Sequence, residues 1–238
     1  MHTERVFGIV GGTGPESTID YYRSLGATWR RRRPDGTHPR VIIDSVDGGT
    51  VIRLLGEGEY PAVGRVFGAA IEALAAAGCG SALIASNLGH MAFDFVEPSP
   101  SIPLIHIVET ARDAAVAGGH RRVGIIGTRF VVESRLYPDR FEPAGIAIVQ
   151  PTTTEEDTVH EIYYGELLDG VIRDESRRRI VDVIGAMRAR DGIDALLLGG
   201  TELALILTEP SYAGVPILNT AQIHVDAAVD WLLEGSPG

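Results

Sequence analysis

Two short stretches constrain the fold more than anything else in the chain. They are Ala82-Leu83-Ile84-Ala85-Ser86-Asn87-Leu88-Gly89-His90 and Ala195-Leu196-Leu197-Leu198-Gly199-Gly200-Thr201-Glu202-Leu203. Each is a continuous apolar run that stops abruptly at small and polar residues. A strand buried on both faces reads this way, because a parallel sheet carries helices above and below it. In open α/β sheets, ligands bind just beyond the carboxyl ends of such strands. Ser86 and Gly200 hold equivalent places in the two stretches, so the function is expected between them.

The rest of the chain alternates strand and helix. Residues 5–10 form an apolar strand that opens onto Gly11-Gly12-Thr13-Gly14-Pro15-Glu16-Ser17. Glycines there allow a tight turn and close approach of a ligand to backbone N–H groups, and Pro15 suits a first helical turn. A helix is expected over 18–32, then a strand over 40–47 whose polar end is Asp44, Ser45 and Asp47. A helix over 60–77, the strand 82–86, a Pro-rich loop over 98–103, a strand over 104–107 and a helix to 117 follow. Then the pattern restarts, with 122–128 repeating the Gly-x-x-Gly spacing of residues 5–11. Strands are expected at 146–149, 195–199 and 215–218, and helices at 157–190, broken near Gly170, and at 221–233. Such alternation implies parallel sheets covered on both faces. The expected fold is α/β, with two pseudo-symmetric lobes, residues 1–117 and 118–220, and a ligand cleft between them. The final helix, 221–235, is expected to pack back onto the first lobe.

Composition excludes several functions. A net charge of −11 argues against binding a nucleic-acid backbone, which needs a clustered basic surface. The basic run Arg30 to Arg33 reads as the solvated end of a helix, where cations suit the dipole. No apolar run approaches the ~20 residues that a bilayer demands. The first strand starts too early to leave room for a signal peptide, so a cytoplasmic protein with no membrane partner is expected. The single cysteine, Cys79, permits neither an intramolecular disulfide nor a cysteine-cluster metal site, and the histidines lack metal spacing. All 21 basic residues are arginine. Without lysine there is no pyridoxal-phosphate Schiff base and no P-loop or kinase phosphate site. Residues 12–17 approach a dinucleotide fingerprint, but Ser17 replaces its third glycine and Pro15 interrupts the turn. No cofactor and no metal are expected.

Across nearly its whole length the chain resembles the aspartate/glutamate racemase family, and within it the aspartate racemase branch. The marks are Gly11-Gly12-Thr13-Gly14-Pro15-Glu16 with Tyr21-Tyr22, then Ser86-Asn87-Leu88-Gly89-His90 and Gly127-Thr128-Arg129-Phe130. They continue with His160 through Glu166-Leu167, Gly199-Gly200-Thr201-Glu202, and Thr220 with His224 and Ala227-Ala228. The resemblance implies cofactor-independent proton exchange between two similar α/β domains, each supplying one cysteine from a strand end. One thiolate removes the α-proton while the opposite thiol donates one. It also implies a homodimer. The sequence departs from that pattern at the decisive atoms. The family's first cysteine falls on Ser86 and its second on Gly200. Serine is a far weaker acid than a thiol, and glycine offers no side chain at all. Cys79 lies on the far side of the strand from Ser86. Other family hydroxyls and acids fall on Leu88, Val131, Asn219 and Ala221.

The candidate catalytic residues are therefore His90, Glu202, Ser86 and His224. His90 and His224 are histidines suited to acid/base work near neutral pH, or else packed helix residues that orient the site. Glu202 is a base or a first-turn acid favoured by the helix dipole. The candidate substrate-binding residues are Gly12, Thr13, Asp47, Asn87, Thr128, Gly200 and Thr201. Asn87 and Thr201 are the expected carboxylate anchors, since helix N-termini favour anions. Glu16, Arg53 and Arg129 are further candidates. The expected partner is a small carboxylate or amino-acid-like ligand. The expected function is a racemase-family enzyme without the two-cysteine mechanism, acting by non-thiol acid/base chemistry as a lyase, cyclase or isomerase. The alternatives are a non-catalytic carboxylate-binding protein and an aspartate/glutamate racemase that uses a different base.

Overall fold

The computed structural model describes residues 5–96 and 101–234, so residues 98–100 of the expected Pro-rich loop lie outside the described residues. The chain divides into two compact units. One runs to Ile107 and resumes at His224; the other spans Val108–Ile223.

The first unit contains β1 (Val6–Gly11), α1 (Pro15–Arg32), β2 (Arg40–Ser45), α2 (Gly48–Gly56), α3 (Tyr60–Ala76), β3 (Ser81–Ile84), a 3-10 helix (Leu88–Phe95) and β4 (Leu104–Ile105). Its sheet has the order β2-β1-β3-β4, with every pairing parallel. All of β1 and β3 is buried, as continuous apolar strands should be. On α1, Ser17, Tyr21, Leu25, Thr28 and Trp29 recur at helical spacing and turn inward. The expected strand 104–107 stops at Ile105, because the Ile107 N–H turns to the ring of His90 and leaves the ladder.

The second unit contains α4 (Ile107–Ala117), β5 (Arg122–Gly127), α5 (Arg129–Val132), α6 (Pro138–Phe141), β6 (Ala147–Val149), α7 (Thr153–Gly165), α8 (Asp174–Asp191), β7 (Ala195–Gly199), α9 (Leu203–Ile206), β8 (Ser211–Tyr212) and β9 (Val215–Leu218). Its sheet has the order β6-β5-β7-β9-β8, parallel except where β8 pairs antiparallel with β9. Taken without β8, the strand order repeats that of the first unit element for element: second, first, third, fourth. A capping box starts α7. The Thr152 N–H donates to Glu155 Oε2 at 2.7 Å, and the Glu155 N–H donates to Thr152 Oγ1 at 3.4 Å.

The division between units falls at the start of α4, not at its end near residue 117 as the sequence suggested. Within the second unit, Glu109 of α4 lies 3.9 Å from Arg140 of α6. The last helix, α10 (Thr220–Glu234), joins the first unit from His224 onward. Its Trp231 packs against Phe7 and under the Arg5 guanidinium, and its Asp226 and Asp230 pair with Arg31 and Arg32. Two arginines of the basic run are thus engaged with α10, although such exposed pairs contribute little stability.

Candidate active site

In each sheet the strand order reverses beside the first strand, and in open α/β sheets that is where ligands bind. In the first unit the reversal lies between the ends of β1 and β3. The turn after β1 depends on Gly12, whose φ is +94°; a Cβ there would stand 2.2 Å from the Val46 carbonyl oxygen. The Gly12 N–H donates to Thr18 Oγ1 at 2.9 Å, and that hydroxyl donates to the Gly14 carbonyl at 3.0 Å. Thr13 is half-buried and Glu16 exposed. Asp47 caps α2. Its Oδ1 accepts from the Gly49 and Thr50 N–H groups at 3.1 and 3.4 Å, and its Oδ2 from the Thr50 hydroxyl at 2.6 Å. These hydrogen bonds, the hydroxyl's first, hold its carboxyl below the ordinary range.

Past β3, Ser86 and Asn87 are buried. Ser86 Oγ accepts the Gly89 N–H at 3.0 Å, and the His90 N–H donates to the Asn87 carbonyl at 3.1 Å. These short-range bonds wind 88–95 as a 3-10 helix. The tautomer of His90 is forced by its partners. Nδ1 lies 2.6 Å from the Ser86 carbonyl, which only accepts, and Nε2 lies 3.2 Å from the Ile107 N–H, which only donates. His90 is therefore neutral with its proton on Nδ1. His224, fully buried on α10, is fixed the same way. Its Nε2 donates to the Ile105 carbonyl at 2.8 Å, and its Nδ1 accepts the Tyr21 hydroxyl at 3.1 Å. Burial, reinforced by the neighbouring His90, lowers its pKa to about 3, against a smaller raising effect of the Ile105 carbonyl. His90 thus joins two backbone segments of this unit, and His224 joins a backbone carbonyl to the Tyr21 side chain. Cys79 is buried just before β3, at the opposite end of that strand from Ser86, and burial pushes its thiol up.

In the second unit the reversal lies between β5 and β7, where Gly127 pairs with Gly199. The next residues, Thr128 and Gly200, end the two strands. A Cβ on Gly200 would stand 2.5 Å from Tyr163 Cε2 and 2.9 Å from the phenol oxygen, so the tyrosine ring fills the space that a side chain at 200 would need. Tyr163 comes from α7, whose inward residues Glu156, Val159, Ile162 and Tyr163 follow helical spacing. Its hydroxyl donates to Glu202 Oε2, and Thr201 Oγ1 donates to the same oxygen at 3.0 Å. Glu202 is only 4% exposed, yet its Oε1 accepts no hydrogen bond among the described residues. Burial, and then the Glu202 charge, push the Tyr163 phenol well above its ordinary range, so it stays protonated as a donor. Tyr164 is raised by the same two causes, and its ring lies 4.5 Å from that of His160.

Three other polar atoms in this unit are buried and make no hydrogen bond: Thr128 Oγ1, Glu156 Oε1 and His160 Nδ1. Arg129 Nε lies 3.6 Å from Glu156 Oε1, long for a hydrogen bond, and the same guanidinium pairs with Asp157. Arg53 pairs with Glu57 at 2.6 Å on an exposed helix surface. Of the sequence candidates, Ser86, Asn87 and His90 are grouped at the end of β3. Thr128, Gly200, Thr201 and Glu202 are grouped at the ends of β5 and β7. Tyr163 and Glu156 had not been singled out. Their signal was present in the i, i+4, i+7 recurrence of Glu156, His160 and Tyr163 along one helix face. Among the described residues, no cluster of three or more His, Cys, Asp or Glu side chains is placed to hold a metal, and no helix is long and apolar enough to cross a membrane.

Comparison with known proteins follows from this geometry. Residues 10–228 match the family described as Asp/Glu/Hydantoin racemase. The solved structure of an Asp/Glu racemase candidate from Yersinia pestis is 30% identical, with a TM-score of 0.87 over 96% of this chain and 99% of that one. An aspartate racemase homologue from Pyrococcus horikoshii OT3 is 26% identical, with a TM-score of 0.85 over 97% of this chain and 100% of the other. A glutamate racemase from Beutenbergia cavernae is 28% identical over 160 residues, or 64% of this chain. The matched segment spans 53% of that curated relative, about half its length.

Proposed function

Because the chain belongs to the Asp/Glu/hydantoin racemase family, we propose that it moves a proton on a small carboxylate or amino-acid-like metabolite without using a thiol. The observation that carries this reading is Glu202. It is a buried carboxylate at a strand-order reversal, with one oxygen anchored by two hydroxyls and the other open. In this reading Glu202 Oε1 removes the proton from the carbon beside the substrate carboxylate. Tyr163 and Thr201 hold the carboxylate group in one orientation through Oε2, as a general base requires. The Tyr163 ring occupies the place in which the resemblance puts the second cysteine, so a phenol-anchored carboxylate replaces a thiolate there. Ser86 stands where the resemblance puts the first cysteine. Its oxygen accepts the Gly89 N–H, and its own proton has no acceptor among the described residues. That proton is available for donation at the carboxyl edge of the first unit's sheet, where Thr13 and Asn87 also lie. His90 and His224 enter as positioning residues, since both nitrogens of each ring are committed. The reaction class that fits a single buried base is a lyase, cyclase or isomerase step.

The test is NMR of small carboxylates in D₂O with the purified protein, beginning with L- and D-aspartate and glutamate. Loss of an α-proton signal or appearance of product with wild type, and neither with Glu202→Gln, is the expected result. Undiminished exchange in Glu202→Gln would overturn the assignment of the base. Saturable binding with no exchange or product across the panel would turn the reading into that of a carboxylate-binding protein.

A further inference from the structure

The outermost strands of the two sheets are β2 and β4 in the first unit and β6 and β8 in the second. β4 and β8 are two residues long and β6 is three, too short to offer much to another chain. β2 is different. It is six residues long and pairs with β1 in an unbroken register, with neither a bulge nor a proline. Its other side adjoins no strand among the described residues, and its Ile43 is 38% exposed. Native proteins normally blunt or cover an outer strand of this length, because its free N–H and C=O groups are a template for pairing.

The ladder with β1 shows which groups are free. The Val46 N–H donates to the Gly11 carbonyl at 3.0 Å. Backbone groups alternate in direction along a strand, so Ile42 and Asp44 also turn theirs to β1. Val41, Ile43 and Ser45 turn theirs to the open side. Two antiparallel copies of β2 about a two-fold axis can therefore bond only where outward residues oppose outward residues. With Ile42 on the axis, Val41 exchanges hydrogen bonds with the partner's Ile43, and Arg40 stands opposite the partner's Asp44. That charged pair takes the non-hydrogen-bonded position, where side chains come closest, and the axis repeats it. Centring on Ile43 would set Asp44 against Ile42, and centring on Asp44 would set the carboxylate against its own copy. Among the described residues neither Arg40 nor Asp44 has an ion pair or side-chain hydrogen bond within the chain, unlike Arg31, Arg32 and Arg53. We propose that β2 joins two copies of this chain, so that the first unit's sheet runs on into its partner in the register centred on Ile42. Such a dimer is independent of the chemistry proposed for Glu202.

Sedimentation velocity over about 1–100 μM protein tests this, since that range brackets micromolar affinity. Wild type should be dimeric at the upper end. Arg40→Asp and Asp44→Arg each set like charges opposite one another twice, and each should raise the dissociation constant about tenfold or more. Combining them restores opposite charges and should bring the constant back to within about threefold of wild type. Ile43→Pro removes an outward donor and spares the ladder to β1, so it should weaken the dimer while far-UV circular dichroism stays that of wild type. Wild type that is monomeric at every concentration would overturn the proposal. So would a dimer that tolerates Ile43→Pro and both single charge reversals, which another surface would have to hold. A double variant no tighter than the single ones would overturn the register.

Discussion

The end of β3 and the end of β7 are the same place in two copies of one topology, yet they are chemically opposite. Past β3, the Ser86 oxygen takes the Gly89 N–H, the Ser86 carbonyl takes the His90 ring, and that ring takes the Ile107 N–H. His224 closes the set by joining α10 to β4 and α1. Past β7, a buried carboxylate has one oxygen anchored and the other open, and the same unit holds three buried polar atoms with no partner among the described residues. Strand order decides where a site lies; whether the polar groups there are satisfied decides whether it is a frame or a reactive surface. In the proposed reading the first edge is chiefly a frame, and the second supplies the base.

Exchanging roles between the two edges should fail in predictable ways. The largest effect expected is on turnover. Glu202→Gln should lower it by about 10²-fold or more, the usual worth of a positioned base, while its melting temperature stays close to that of wild type. Steady-state rates and thermal unfolding of the same preparation check both halves.

The next effect sharpens the view of the first edge as a neutral frame. His224 has a folded pKa of about 3 against an ordinary value near 6.5. A base whose folded pKa is depressed binds its proton more readily when unfolded. Its contribution is therefore complete above about pH 6.5 and is lost as pH falls from there toward 3, by up to about 4 kcal/mol. His224→Gln carries no such ionisation. Urea unfolding of both proteins at pH 7 and at about pH 3.5 should show wild type losing more stability than the variant. A constant gap would mean that His224 is not held neutral.

Restoring a side chain at the second edge should cost about 1–3 kcal/mol. Gly200→Cys drives a Cβ into the Tyr163 ring, and overpacking of a filled core is destabilising by that amount. Adding Tyr163→Ala should relieve the clash, so the two changes together should cost less than the sum of each alone, and a double-mutant cycle by chemical denaturation measures the coupling. Smallest of all, Asp47→Ala removes a helix cap and should cost about 1 kcal/mol. If Asp47 serves only α2, calorimetric binding of any ligand found should be unchanged.

Much of this was legible before the structure. Strands 195–199 and 215–218 match β7 and β9 to the residue, because apolar runs bounded by glycines or polar turns have sharp ends. Helix α2 was not anticipated. It buries only Val51 and Leu55, too few for a periodic signal, and its real mark is Asp47 placed to cap Gly49 and Thr50. The segment after β3, expected as an ordinary helical turn, is a 3-10 helix because Ser86 supplies the acceptor for Gly89. Short α5, α6 and β8 fall below what periodicity can detect. Thr201 and Glu202 stood out as the polar end of a buried strand. Tyr163 could not, because its role is defined by a missing side chain 37 positions away at Gly200. The same limit hid the satisfied state of His90 and His224, whose partners Ile107, Ile105 and Tyr21 are distant in sequence and are mostly backbone atoms.

The return of α10 to the first unit has a consequence for the birth of the protein. The second unit is one uninterrupted segment, Val108–Ile223, whereas the first is completed by residues that are made only after the whole of the second. Until then Tyr21 and the Ile105 carbonyl have no His224, and Phe7 has no Trp231 to cover it. The usual order, in which the amino-terminal body folds first, is therefore reversed. The later-made body can close while the earlier one waits, and a nascent chain stalled before α10 would present its oldest surface to chaperones.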